Sequence, residues 1–114
     1  MDVNSIRADH LFISHAHADH LADAVAIAKR TGAMVISNYE IYLWATNQGI
    51  SKAHPLNHGG SVKLDFGRAK FVNAIHSSSF PDSTYGRNPG GWVIEAAEGN
   101  FYYSGDTALT TDMT

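Results

Sequence analysis

The sequence Leu-Phe-Ile-Ser-His-Ala-His-Ala-Asp-His occupies residues 11–20. Its first four residues are mostly apolar and predict a short buried strand that runs into a loop. In extended backbone His15 and His17 point the same way, because side chains alternate with a period of two. The chain then turns into a helix, which we expect to bring Asp19 and His20 beside them. Three imidazoles and a carboxylate this close together predict a site for a divalent cation.

The segments that follow predict a strand, helix, strand unit. Apolar residues recur at helical spacing over 21–31, and Gly32 is placed to end that helix. A second apolar strand over 33–37 favours parallel pairing with the first. The alternative interpretation of the histidine cluster is a surface loop in which Asp19 only caps this helix.

The rest of the chain predicts one more helix and two hairpins. Asn38 can cap a helix over 39–47, whereas the proline and glycine pair of 51–60 predict a loop. Residues from 107 are compatible with the start of a final helix. The predicted hairpin strands are 62–66 with 69–76 and 91–97 with 101–104, the second pair joined through Glu98-Gly99-Asn100.

Composition narrows the class of protein. The 114 residues are 44% hydrophobic and 17% charged, which predicts one small globular domain. The net charge of -3 argues against a nucleic-acid partner, and no apolar run is long enough for a membrane span, so we expect a small-molecule partner. The absence of cysteine excludes thiolate ligands and disulfides. No secretory signal is recognisable, and a cytoplasmic location is favoured.

Other polar residues carry weaker expectations. The polar segment 77–90 predicts a long loop of the kind that often contributes to function. Within it, Ser77–Ser79 lack the glycine elbow of a serine nucleophile and are expected to shape the pocket. Arg87 could meet an anionic substrate group or simply be solvated. Three histidines lack partners at ligand spacing and are not expected to bind metal: His10, His54 and His58.

Four motifs together resemble a known family. Residues 15–20 read HAHADH, 74–79 read AIHSSS, 90–95 read GGWVIE and 103–107 read YSGDT. They are similar, in this order, to motifs of the metallo-β-lactamase superfamily, and within it to predicted metal-dependent hydrolases related to L-ascorbate 6-phosphate lactonase. The resemblance runs from about residue 3 to 114. It implies an α/β fold, the αββα sandwich, with a dinuclear metal site at one edge.

The resemblance also implies which residues bind metal. The first ion would be held by His15, His17 and His76, the second by Asp19 and His20, with Asp106 bridging both. The implied reaction is hydrolysis of a lactone, another ester or a phosphoester by metal-activated water, which Asp19 would orient as the catalytic residue. Zinc is the favoured metal, and Mn, Fe or Ni would also suit nitrogen and oxygen ligands.

Relative to that family, the chain resembles a central piece. We expect a single domain, 1–114, that forms part of the sandwich without the opening strands and the C-terminal half, which supplies a last histidine to the second metal. Unpaired sheet edges would then favour a homo-oligomer. One alternative is a non-catalytic fragment that binds a single ion. A second is a nucleic-acid-processing member of the superfamily, which the acidic balance disfavours.

Overall fold

The structure, a computed structural model, describes residues 2–114 and contains two sheets. The first sheet is parallel, in the order β1-β2-β3, and consists of β1 (His10–Phe12), β2 (Met34–Ser37) and β3 (Ala53–Pro55). The second is antiparallel, in the order β4-β5-β6-β7, and consists of β4 (Ser61–Leu64), β5 (Gly67–Asn73), β6 (Gly90–Ala96) and β7 (Gly99–Tyr103). The predicted α/β class is confirmed.

Along the chain, the helices connect the strands of the first sheet. They are α1 (Ala18–Leu21), α2 (Ala24–Thr31) and α3 (Tyr39–Asn47), with 3-10 turns at Val3–Ser5 and Thr111–Met113. Within residues 2–114, none of these helices has the length and apolar character needed to cross a bilayer. The α-helix considered from residue 107 onward is wrong, because a single 3-10 turn is all that forms there.

The segment around α2 differs from its prediction in one respect. The single helix expected over 21–31 is divided, because Asp23 adopts φ -104° and ψ -1° and separates α1 from α2. The predicted end is confirmed: Gly32 has φ 75°, a left-handed conformation that glycine adopts without strain, and its N–H donates to the carbonyl of Ala28. The parallel pairing of β1 with β2 is also confirmed.

Local capping determines α3, whereas tertiary pairing determines β3. Asn38 caps α3 as predicted, and its side chain accepts a hydrogen bond from the N–H of Ile41 at 2.9 Å. The loop predicted over 51–60 is wrong at 53–55, where β3 pairs with β2. Proline is a poor strand residue, but it is tolerated at a sheet edge, where no partner needs its missing N–H.

The antiparallel sheet confirms both hairpins and shifts their limits. β5 ends at Asn73, so His76 lies three residues beyond the strand rather than at its end as predicted. The pairing of Ala96 with Gly99 places the second turn at residues 97–98 instead of 98–100. Gly99 enters the strand with φ 139°, a conformation that other residues rarely adopt.

Two apolar clusters arrange the fold in three layers. One cluster packs the helices against the parallel sheet and includes Ile13, Val35 and Ile41. The other fills the space between the two sheets, where Phe71 and Trp92 are buried with ring centroids 4.7 Å apart. The order helix, sheet, sheet is compatible with part of an αββα sandwich. In this arrangement the loops that follow β1, β5 and β7 lie at one edge of the sandwich.

Candidate metal centre

The first two histidines of the cluster lie between β1 and α1. His15 is fully buried, and its Nδ1 lies 2.9 Å from the hydroxyl of Ser14. Its other ring nitrogen, Nε2, is buried and finds no hydrogen-bond partner among residues 2–114. His17 occupies the N-cap position of α1 in extended backbone. A buried imidazole nitrogen without a partner is costly unless a ligand satisfies it.

Four imidazoles converge around that nitrogen. The ring of His15 has its centroid 4.7 Å from that of His17, 4.1 Å from that of His20 and 5.1 Å from that of His76. The rings of His17 and His76 are 5.1 Å apart. His76 comes from the loop after β5, and the tertiary structure brings it to residues more than fifty positions earlier in the chain.

Asp106 faces three of these rings from the loop after β7. Its Oδ2 atom lies 3.2 Å from Nε2 of His20, 3.7 Å from Nε2 of His15 and 3.6 Å from Nε2 of His76. One carboxylate oxygen in the middle of several imidazoles is suited to bridging between metal ions. The side chain is about half exposed, so the group is open to a ligand from solvent.

The potential ligand atoms form two overlapping triads. One triad consists of His15, His17 and His76, and the other of His15, His20 and Asp106. Within each triad the ligand atoms lie within 4.8 Å of one another. Five of the six sequence-predicted ligands are thus together. The sixth, Asp19, lies outside both triads, with Oδ2 3.5 Å from Nε2 of His20 and its side chain 78% exposed. It borders the site at the solvent side.

The electrostatics of the site favour the neutral imidazole of His15. Burial, followed by repulsion from His20 and His17, lowers the pKa of His15 from 6.5 to about 4, although Asp106 opposes the shift and His76 adds to it. A neutral, buried imidazole with a free Nε2 is the form that binds a metal ion. The donor set of imidazoles and one carboxylate therefore fits a divalent transition metal.

Small residues near the histidines contribute contacts that the sequence did not identify. Ser14 contacts the ring of His15, and the hydroxyl of Ser77 lies 3.2 Å from Nε2 of His17. The hydroxyl of Ser78 accepts a hydrogen bond from the N–H of Ala16 at 3.0 Å. The serine run had been expected to shape the pocket, but no periodicity or motif indicates which hydroxyl meets which histidine.

The remaining candidates have other surroundings. His10 packs on Phe66 with ring centroids 5.4 Å apart, and Nε2 of His58 lies 2.8 Å from the carbonyl oxygen of Pro89. His54 lies in β3 opposite Ile36. Arg87 forms an ion pair with a carboxylate of its own chain, with Nε 3.2 Å from Oε1 of Glu40, and this pair competes with the anion contact considered for it.

The chain is similar to proteins of a known family. The family described as "Beta-lactamase superfamily domain" matches residues 4–114. A "UPF0173 metal-dependent hydrolase" of Flavobacterium johnsoniae is 56% identical over 113 residues, and one of Thermus thermophilus is 44% identical; each match covers 99% of this chain and 50% of the relative. The chain thus spans about half the length of these curated relatives.

A solved structure is similar as well. Igni18, described as a novel metallo hydrolase from the hyperthermophilic archaeon Ignicoccus hospitalis, superposes with a TM-score of 0.78 at 35% identity. The match covers 96% of this chain and 47% of that protein. The family match over nearly the whole chain, the related sequences and the shared fold lead to one conclusion: this chain belongs to the metallo-β-lactamase superfamily.

Proposed function

We propose that this chain carries the metal centre of a metal-dependent hydrolase that cleaves a lactone, another ester or a phosphoester. The observation that supports this most strongly is the buried, unpartnered Nε2 of His15 at the meeting point of both triads. The names of the relatives, metal-dependent hydrolase and metallo hydrolase, support the same reaction class. The substrate proposed is a small molecule, because the net charge of -3 disfavours nucleic acid.

The proposed ligands divide between two ions. His15, His17 and His76 would hold the first, Asp19 and His20 would hold the second, and Asp106 would bridge them. The position of Asp106 beside Nε2 of His15, His20 and His76 supports its role as a bridging carboxylate. Bound metal supplies an acidified water molecule and a Lewis acid for the carbonyl or phosphoryl oxygen. Zinc is the metal we propose, since imidazole and carboxylate ligands suit it.

Several residues of the chain have roles besides metal binding. The carboxylate of Asp19 is exposed at the rim and can accept a proton from water, so it is proposed as the catalytic residue that orients the attacking water. The hydroxyl of Ser77 lies 3.2 Å from Nε2 of His17. Neither requires a covalent intermediate with the protein, and no nucleophile elbow surrounds the serines.

A non-catalytic metal-binding role is the second candidate. It is supported by the triad of His15, His17 and His76, whose ligand atoms lie within 4.8 Å of one another. In that case one ion would bind to His15, His17 and His76 without turnover.

We also propose that residues 1–114 act as one domain, that a cytoplasmic location suits a cysteine-free chain, and that exposed strand β7 favours a homo-oligomer.

The test combines metal counting with hydrolysis assays. Purified protein should be analysed for metal by elemental analysis before and after dialysis against a chelator. Chromogenic carboxylic esters and phosphodiesters then serve as substrates. Two ions per chain with chelator-sensitive hydrolysis would support the proposal, whereas one ion without turnover would favour the non-catalytic role. Folded protein that contains no metal and takes up none would refute both.

A further inference from the structure

Ala16 lies between two proposed metal ligands in the loop of residues 13–17, called here the ligand loop. A hydrogen bond from a distant segment holds its backbone. Ala16 is fully buried between His15 and His17, and its N–H donates to the hydroxyl of Ser78 at 3.0 Å. Ser78 itself is 3% exposed and lies 62 residues further along the chain. The backbone that spaces the two imidazoles is therefore attached at its centre to the loop that follows His76.

Gly86 forms the other half of this contact. Its N–H donates to the carbonyl of Ser78 at 2.9 Å, and its own carbonyl accepts from the side chain of Asn38 at 2.9 Å. A Cβ atom at Gly86 would lie 2.3 Å from Cβ of Ala16 and 2.9 Å from Oγ of Ser78. Its φ lies outside the left-handed region, so close approach rather than backbone conformation accounts for glycine at this position.

We infer that Ser78 and Gly86 are positioning residues, which set the spacing of His15 and His17 by clamping Ala16. This inference rests on the proposed metal centre. Metal–ligand distances tolerate deviations of roughly 0.2 Å, so a shift of a few tenths of an ångström at Ala16 disturbs two ligands at once. A methyl group at Gly86 requires a larger shift than that, because it would lie only 2.3 Å from Cβ of Ala16, in the ligand loop itself.

The contact predicts a rescue that a general loss of stability would not produce. Gly86→Ala should lower metal affinity by about 10- to 100-fold, the range typical of residues that support metal ligands. Adding Ala16→Gly removes the shorter of the two conflicts and leaves the 2.9 Å contact with Oγ of Ser78, so the double variant should recover part of the lost affinity. Ser78→Ala, which deletes only the acceptor, should weaken binding without steric conflict and provides a second test if Gly86→Ala does not fold.

The control is Gly60→Ala. Gly60 also lies outside the left-handed region, and its added Cβ would press on the carbonyl oxygen of Asn57 at 2.9 Å, with Leu56 as the other near neighbour rather than a proposed metal ligand. It should destabilise the protein and leave metal affinity unchanged. Affinity would be measured by competition with a chromophoric zinc chelator, and ligand geometry by the visible spectrum of the Co²⁺ form.

The outcomes separate this inference from the proposed function. Parent protein that binds metal, together with unchanged affinity in Gly86→Ala and Ser78→Ala, would overturn the positioning role and leave the metal centre intact. A folded double variant that binds no better than Gly86→Ala would also overturn it. Parent protein that binds neither Zn²⁺ nor Co²⁺ would overturn the proposed function and the positioning role together.

Discussion

The hydroxyl of Ser14 should tune the affinity of the metal centre. It lies 2.9 Å from Nδ1 of buried His15. When Nε2 binds a metal, Nδ1 carries the proton of the ring and donates a hydrogen bond to this hydroxyl. Ser14→Ala leaves that donor without a partner, at a cost of about 1–3 kcal/mol. Loss of such support lowers metal affinity by about 10- to 100-fold, which equals about 1.4–2.8 kcal/mol.

A second buried serine provides a matched control. The hydroxyl of Ser37 donates to the carbonyl of Ile13 at 2.7 Å, and Ser37 is fully buried. Ser37→Ala therefore makes the same chemical change and removes one buried hydrogen bond, worth about 1 kcal/mol of folding stability. The hydroxyl of Ser37 bonds to the backbone of Ile13 and not to a histidine ring. Zinc affinity should be unchanged in Ser37→Ala and lowered in Ser14→Ala, while urea unfolding of the metal-free proteins shows comparable losses.

Two results would refute this reasoning. If Ser14→Ala bound zinc as tightly as the parent, the hydroxyl would not support the proton on Nδ1. If both variants lost affinity equally, the effect would come from general loosening of the core. Chelator competition under the same conditions for parent and variants distinguishes these results, because it compares affinities directly.

Three further predictions concern the site and the core. His17→Ala should abolish tight zinc binding and His54→Ala should not alter it, as measured by elemental analysis after dialysis. Phe71→Ala should cost about 3–5 kcal/mol in urea unfolding, since the ring is fully buried, whereas exposed Phe101→Ala should change stability by about 0.5 kcal/mol or less. Metal-free protein should lose stability as the pH falls from 6.5 to about 4, because the unfolded chain protonates His15 before the native state does; a flat profile in urea titrations across this range would contradict it.

Elements with local signals were predicted closely. α3 has its predicted limits because Asn38 accepts a hydrogen bond from an N–H of the first turn. The two partners are only three residues apart in the chain. α2 ends at Gly32 because a left-handed residue there completes the last turn. By contrast, β3 has a weak strand sequence and forms because β2 offers it an edge, and no window of ten residues contains that information.

The candidate site divides in the same way. The histidine cluster at residues 15–20 was recognisable because its members are near neighbours in the chain. The position of His76 was predicted less well, since the strand before it ends at Asn73 and a loop completes the approach. The clamp formed by Ser78 and Gly86 was not foreseen, because serine and glycine are common in loops and their partners lie in another segment.

The sequence by itself determined the class of the chain, the residue types of the candidate ligands, the end of α2 and the limits of α3, because spacing and capping act over a few residues. Only the tertiary structure decided that Asp106 meets three imidazoles, that His15 is buried with a free Nε2, and that Asp19 stays at the exposed rim. Burial and encounters between distant segments depend on how the two sheets and the helices pack, and packing is a property of the whole chain.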